Sequence, residues 1–173
     1  ISIENLTDYK VTLDGTVFDI KGKVFKFPQL LPREIFYSLE MCIDLLEYLK
    51  IPLDKSFSKF TLPPGRNSIF KGIKNTTIID SAYNANLDSM TAVLGMFDKI
   101  AVGKKWMILG DMLEQGESER QEHENLAEEI SNVKSDKVIL MGPRVARYTF
   151  PKLEIRNSKS ENVISFENPK EVL

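Results

Sequence analysis

Cysteine, histidine and tryptophan each occur once in this chain. With Cys42 alone no internal disulfide forms, and with His123 alone no cysteine–histidine zinc site is encoded. Positive charge is not in excess: 23 Lys and Arg face 25 Asp and Glu, for a net charge of -2. The polycationic face that nucleic-acid binding requires is therefore lacking, and a nucleic-acid partner is not expected. No apolar run approaches the roughly 20 residues of a membrane span. Neither a Gly-x-x-x-x-Gly-Lys-Ser/Thr loop nor a Gly-x-Gly-x-x-Gly fingerprint is present, so the chain encodes no complete nucleotide site of either kind. Whatever it binds, it is expected to bind with help. The first residue is Ile rather than Met, which reads as a piece of a longer protein, and the single cysteine fits a reducing cytoplasm.

What is present divides in two. Residues 9–27 alternate in a β manner around Asp14-Gly15, with Val24, Phe25 and Phe27 as a third strand. After Pro32 a helix is expected, its apolar stripe Ile35, Leu39, Cys42, Ile43, Leu46 and Leu49, ended by Pro52. Cys42 lies in that stripe and reads as a small core residue. Residues 51–65, with Pro63-Pro64-Gly65, have no period and read as a linker, placing a domain boundary near residue 65. From there strands at Thr76–Asp80, Lys105–Leu109, Lys137–Met141 and about Asn162–Phe166 alternate with helices at Leu87–Ile100 and Ser118–Asn132 and a short third one. That alternation predicts an α/β, Rossmann-like domain with a mostly parallel sheet. Ser118 with Gln121 has the spacing of a capping box, and Gly103 is placed for a left-handed helix cap.

The residues able to carry chemistry cluster after two strands. The first stretch, Thr77-Ile78-Ile79-Asp80-Ser81-Ala82-Tyr83-Asn84-Ala85-Asn86, is a strand running into a polar turn before a helix, the place where open α/β sheets bind ligands. Asp80 suits a ribose hydroxyl or the turn itself; Asn84 and Asn86 suit a ligand or a helix cap. Tyr83 is better placed than Trp106 to touch a ligand; both also suit packing. Arg66, just past the linker, is a candidate for bidentate phosphate contact and otherwise an exposed loop arginine. The second stretch, Gly110-Asp111-Met112-Leu113-Glu114-Gln115-Gly116-Glu117-Ser118, is expected to open on the same sheet edge. There Asp111 and Glu117 either face a cleft or favour the next helix N-terminus. His123 follows one turn into that helix, either a helix residue or a general base.

These two stretches, with Gly65-Arg66 before them and His123 after, resemble the C-terminal domain of the Mur ligases. Within that family they are most similar to the members that add D-alanyl-D-alanine to a UDP-N-acetylmuramoyl-tripeptide. The resemblance covers nearly everything beyond residue 60, and residues 1–55 look like the tail of the family's central ATPase domain. It implies residues 1–65 as the end of the central domain and 66–173 as a truncated C-terminal Rossmann-like domain. Such enzymes use ATP and Mg to phosphorylate a substrate carboxylate, and the amine then attacks the acyl phosphate. By position, Arg66, Asp80, Tyr83, Asn84 and Asn86 would line the nucleotide side, and Asp111, Glu117, Ser118 and His123 the substrate-facing loop. The P-loop and metal-binding residues of the family would lie upstream, so the fragment is not expected to catalyse alone. Its incomplete sheet could dimerise artificially through an exposed edge. Ile35 stands where relatives carry an adenine-contacting Asn, Ser81 where many carry Asp, and Leu87 where Pro is usual. These departures leave open a second reading, a non-catalytic Mur-like binding or scaffolding domain.

Overall fold

The computed structural model describes residues 3–53, 57, 59–156, 162–168 and 170. They form two compact units, Ile1–Tyr83 and Asn84–Leu173. The boundary expected near residue 65 falls inside the first.

In the first unit, β1 (Leu6–Thr12), β2 (Gly15–Ile20) and β3 (Lys23–Phe27) make an antiparallel sheet in that order. Thr12 pairs with Gly15, so the tight turn is Leu13-Asp14, one residue earlier than the Asp-Gly dipeptide suggests. Gly15 has φ +137°, and a Cβ there would sit 2.1 Å from the Phe27 carbonyl oxygen, which only glycine tolerates. Phe18, Phe25 and Phe27 lie on the sheet face that packs against α1 (Ile35–Tyr48) through Phe36, Leu39 and Ile43. Tyr9 joins them, its ring 5.3 Å from that of Phe18 and its hydroxyl donating to the Leu31 carbonyl at 2.8 Å. Burial, reinforced by Glu34 and opposed by Arg33, pushes its phenol well above the ordinary range.

Two sequence expectations fail on α1. Cys42 is exposed, as is Leu49. The buried arc is Phe36, Leu39, Glu40 and Ile43, and Cys42 lies about 100° round the helix from Ile43. The helix also ends before Pro52: Lys50 adopts φ +55° and the Ile51 N–H donates back to the Leu46 carbonyl. Nor do residues 51–65 behave as a free linker where described. Leu53, Phe57, Phe60 and Leu62 pack on the core, with the Phe57 and Phe27 rings 4.3 Å apart.

Glu40 is a charge in that core, 1% exposed. Its Oε1 accepts from the Asn5 amide and pairs with the Lys21 ammonium at 3.2 Å, while Oε2 has no partner among the described residues. Burying a half-satisfied carboxylate offsets most of what its ion pair contributes. Glu40→Leu is therefore expected to leave the urea midpoint unchanged or to raise it; a lowered midpoint would show that the Lys21 and Asn5 contacts outweigh the burial.

The first unit closes with an antiparallel hairpin, β4 (Ser68–Lys71) and β5 (Thr77–Asp80), paired Ser68 with Asp80 through Lys71 with Thr77. The sequence reading missed β4 and made β5 the first strand of the parallel sheet.

In the second unit α2 (Leu87–Lys99) leads to β6 (Trp106–Gly110), α3 (Glu119–Ser131), β7 (Lys137–Met141), a π-helical turn Val145–Thr149 running into α4 (Phe150–Arg156), and β8 (Val163–Phe166). Strands β6, β7 and β8 form a three-stranded parallel sheet in that order. Met107, Val138, Leu140 and Val163 share its core with Leu94, Leu126, Ala127, Ile130 and Leu153 of the helices.

The helix ends differ from expectation in instructive ways. The end of α2 is not closed by a left-handed Gly103; Ile100 is extended, and the Lys105 ammonium donates to the carbonyls of Phe97 and Asp98 at 2.9 and 2.7 Å. Burial lowers the pKa of that ammonium, with Asp98 opposing. Ser118 does not form the capping box. It is already helical as the last residue of a 3-10 turn, Gly116–Ser118, and its hydroxyl donates to the Gln115 carbonyl at 2.8 Å. Trp106, read as a packing group, is exposed, with the Lys137 ammonium 5.7 Å from its ring centre.

Candidate functional site

The residues read as nucleotide contacts fall in two places. In the first unit Gly65, at φ +75°, lies against Tyr83: its carbonyl accepts the Tyr83 N–H at 3.1 Å. That contact sets the next residue, Arg66, over the Tyr83 ring, guanidinium carbon to centroid 4.4 Å. Both side chains are exposed, Tyr83 at 64%, and no ion pair engages Arg66 among the described residues. A planar cation held on an aromatic face keeps its in-plane donors free for an anion. Asp80 ends β5 and accepts the Ala82 N–H at 3.0 Å, an Asx turn that uses one carboxylate oxygen and leaves the other uncommitted.

In the second unit Asn84 accepts the Ala85 N–H at 2.9 Å. Asn86 caps α2: its Oδ1 accepts from the Ser89 N–H at 2.8 Å and its own N–H donates to Ser89 Oγ at 3.1 Å. The capping box sought at Ser118 is thus made here instead, with Ser in the third helical position. Both Asn residues are exposed. Strands β5 and β6 belong to separate sheets, so the two polar turns do not share one sheet edge as expected.

The loop after β6 is rooted by residues the sequence reading assigned to the substrate. Asp111 is 10% exposed, and its Oδ1 accepts the backbone N–H groups of Arg144 and Val145 at 3.0 and 2.8 Å. It caps the π-helical turn after β7. Gly142 makes room: at φ +138° a Cβ there would come 2.5 Å from that carboxylate. The Arg144 guanidinium bonds Glu119 at 2.5 Å and reaches Asp111 at 3.5 Å, and these carboxylates, Glu119 first, hold its proton more firmly than usual. His123 is 0% exposed. Its Nδ1 lies 2.7 Å from the Glu119 carbonyl, and its Nε2 accepts the Met112 N–H at 3.1 Å. The ring therefore faces no solvent, and a general-base role has no geometry here. Glu117 and Ser118 stay exposed on the loop. Sequence reading missed Arg144, Gly142 and Thr149, whose hydroxyl donates to the His123 carbonyl at 2.8 Å. The Gly142-Pro143-Arg144 punctuation directly after β7 was the available signal.

The family described as Mur ligase, glutamate ligase domain, matches residues 65–173. The chain is 31% identical over 142 residues to the UDP-N-acetylmuramoyl-tripeptide--D-alanyl-D-alanine ligase of Bacillus subtilis, covering 79% of this chain and 31% of that protein. The ligase of the same name from Borreliella burgdorferi is 28% identical over 155 residues, 86% of this chain and 32% of the relative. The chain thus spans about a third of the length of these curated relatives. Among solved structures, MurF from Acinetobacter baumannii superposes with a TM-score of 0.79 at 19% identity, over 96% of this chain and 36% of that one. MurF from Thermotoga maritima, in complex with ADP, gives 0.73 at 20%, over 96% and 38%. At such identities these structures speak for the fold. With the family match covering more than half of the sequence, this chain belongs to the Mur ligase family.

Proposed function

We propose that this chain is the C-terminal part of an ATP-dependent carboxylate–amine ligase of peptidoglycan precursor synthesis, acting in the cytoplasm. Its reaction joins D-alanyl-D-alanine to a UDP-N-acetylmuramoyl-peptide. ATP transfers its terminal phosphoryl group to the peptide carboxylate, releasing ADP, and the amine displaces phosphate from the acyl phosphate to form the amide. Residues 1–65 are assigned to the end of the central domain and 66–173 to the C-terminal domain.

The observation that carries this reading is Arg66, exposed and held over the face of Tyr83. A guanidinium so oriented binds phosphate by paired hydrogen bonds and stabilises the charge of phosphoryl transfer. Asp80, Asn84 and Asn86 are assigned to the nucleotide, and the exposed Glu117 and Ser118 to the substrate side. Among the described residues no three Asp, Glu, His or Cys side chains converge as a metal site. Mg is held by one or two carboxylates together with phosphate oxygens and waters, and we assign the metal and the P-loop to the parts of the longer relatives that this chain does not match.

The decisive assay is ADP release by the full-length ligase. It should require Mg-ATP, UDP-N-acetylmuramoyl-tripeptide and D-alanyl-D-alanine together; turnover independent of the amine or the peptide would overturn the proposal. Arg66→Ala should weaken nucleotide binding about tenfold or more, the worth of a hydrogen bond to a charged group. Unchanged affinity would remove Arg66 from the site.

A second reading, a non-catalytic Mur-like binding domain, is favoured by Ile35. Its side chain packs against the first unit's core, where an amide would be needed to contact adenine. Substrate-dependent turnover excludes it.

A further inference from the structure

The loop from Leu113 to Ser118 has few bonds of its own. Gln115 Nε2 donates to the Leu113 carbonyl at 2.7 Å and Ser118 Oγ to that of Gln115 at 2.8 Å, while Glu114 and Gly116 both take positive φ. Leu113, Glu114, Glu117 and Ser118 are exposed. A tip of this composition does not set its own shape. Its two roots, however, meet on one ring. Met112, where the loop begins, donates its N–H to His123 Nε2; Glu119, where it ends, presents its carbonyl to His123 Nδ1. An amide N–H only donates and a carbonyl only accepts, so these two contacts assign the proton to Nδ1 and leave Nε2 bare.

We propose that His123 is a positioning residue: its neutral imidazole clips both roots of the Leu113–Ser118 loop and so fixes the shape that the loop tip presents to the amine substrate. This rests on the ligase reading above. An apolar side chain would fill the same space without needing polar partners, whereas a buried imidazole is tolerated only because both nitrogens are bonded. The clip is reinforced from outside the core. Arg144 reaches the side chains of Asp111, next to the first root, and of Glu119, the second, and Thr149 holds the His123 carbonyl. The ring is thus held at both nitrogens and the backbone that carries it at its carbonyl, as the support of a functional loop requires.

Two measurements test it. In this chain, side-chain nitrogen NMR should find His123 protonated at Nδ1 alone. In His123→Leu, the Met112 amide should exchange about tenfold faster, as expected for one lost hydrogen bond, with the α3 amides of Leu126 and Ala127 unchanged. His123→Gln, whose amide oxygen can accept from Met112, should restore protection. Equal loss throughout α3, or no loss at Met112, overturns the clip. In the full-length ligase, His123→Leu should raise KM for D-alanyl-D-alanine about tenfold or more, since small misplacements of a positioning loop are costly. KM for Mg-ATP should hold, and His123→Gln should recover most of the loss. Unchanged kinetics, or a uniform loss that Gln does not recover, assigns the ring to packing and overturns the positioning role. A wild-type protein that does not ligate counts against the ligase reading, and the exchange experiment then decides the clip.

Discussion

Phe18→Ala is expected to destabilise the first unit by about 3–5 kcal/mol, the range for emptying a fully buried aromatic position. Phe18 sits in the middle of β2, paired to Tyr9 on one side and Phe25 on the other. Its ring meets Phe27 edge to face at 6.0 Å and Tyr9 at 5.3 Å, and its side chain is wholly buried. The surrounding rings are fixed by strand register, so the cavity has little means of collapsing. Amide exchange of Val17, Phe25 and Lys26 under mild urea reads the loss directly. A drop under about 1 kcal/mol would mean that the sheet and α1 repack around the gap, contrary to interiors packed at crystal density.

Asp111→Ala carries the second large effect, about 2 kcal/mol, because it strips the acceptor from two backbone N–H groups at a helix start. The same substitution frees Arg144 from one of its carboxylates, leaving Glu119. Asp111→Asn keeps an oxygen in the position that accepts from Arg144 and Val145, and should retain more than half of the lost stability. This pair of variants separates two roles that sequence alone leaves equivalent. A residue whose carboxylate charge contacts substrate loses function in Asn while its stability holds; a cap loses most stability in Ala, less in Asn, and keeps function in Asn. Thermal melting of both variants, with ligation by the full-length ligase, distinguishes them, and the observed geometry predicts the cap.

Much of the architecture was written locally. The alternation of Phe18 with Ile20, and of Phe25 with Phe27, is a period-two signal that any half-buried strand must show. The β–α order from β6 onward admits few arrangements besides a parallel sheet. The polar turns at Asp80–Asn86 and Gly110–Ser118 were visible for the same reason: short polar side chains and glycine crowd where backbone groups lack ladder partners.

What failed did so where a residue has two physically acceptable uses. Cys42 fits an apolar stripe drawn generously on a helix, but the width of the buried arc depends on what packs against it, and here Phe36 to Ile43 suffice. Ser118 and Gly103 carry the composition of caps, yet a 3-10 turn and the Lys105 ammonium reached those helix ends first. β4 is four residues long, too short for periodicity to register.

By itself, then, the sequence determined the strands other than β4, the helices, their order and the family, because hydrophobic period, turn chemistry and motif spacing are properties of neighbouring residues. Only the tertiary structure decided what the polar residues do. Asp111 meets Arg144 across 33 positions, and Met112 meets His123 across α3's first turn. Whether a carboxylate or an imidazole caps, clips or reaches solvent is settled by which distant backbone groups arrive beside it.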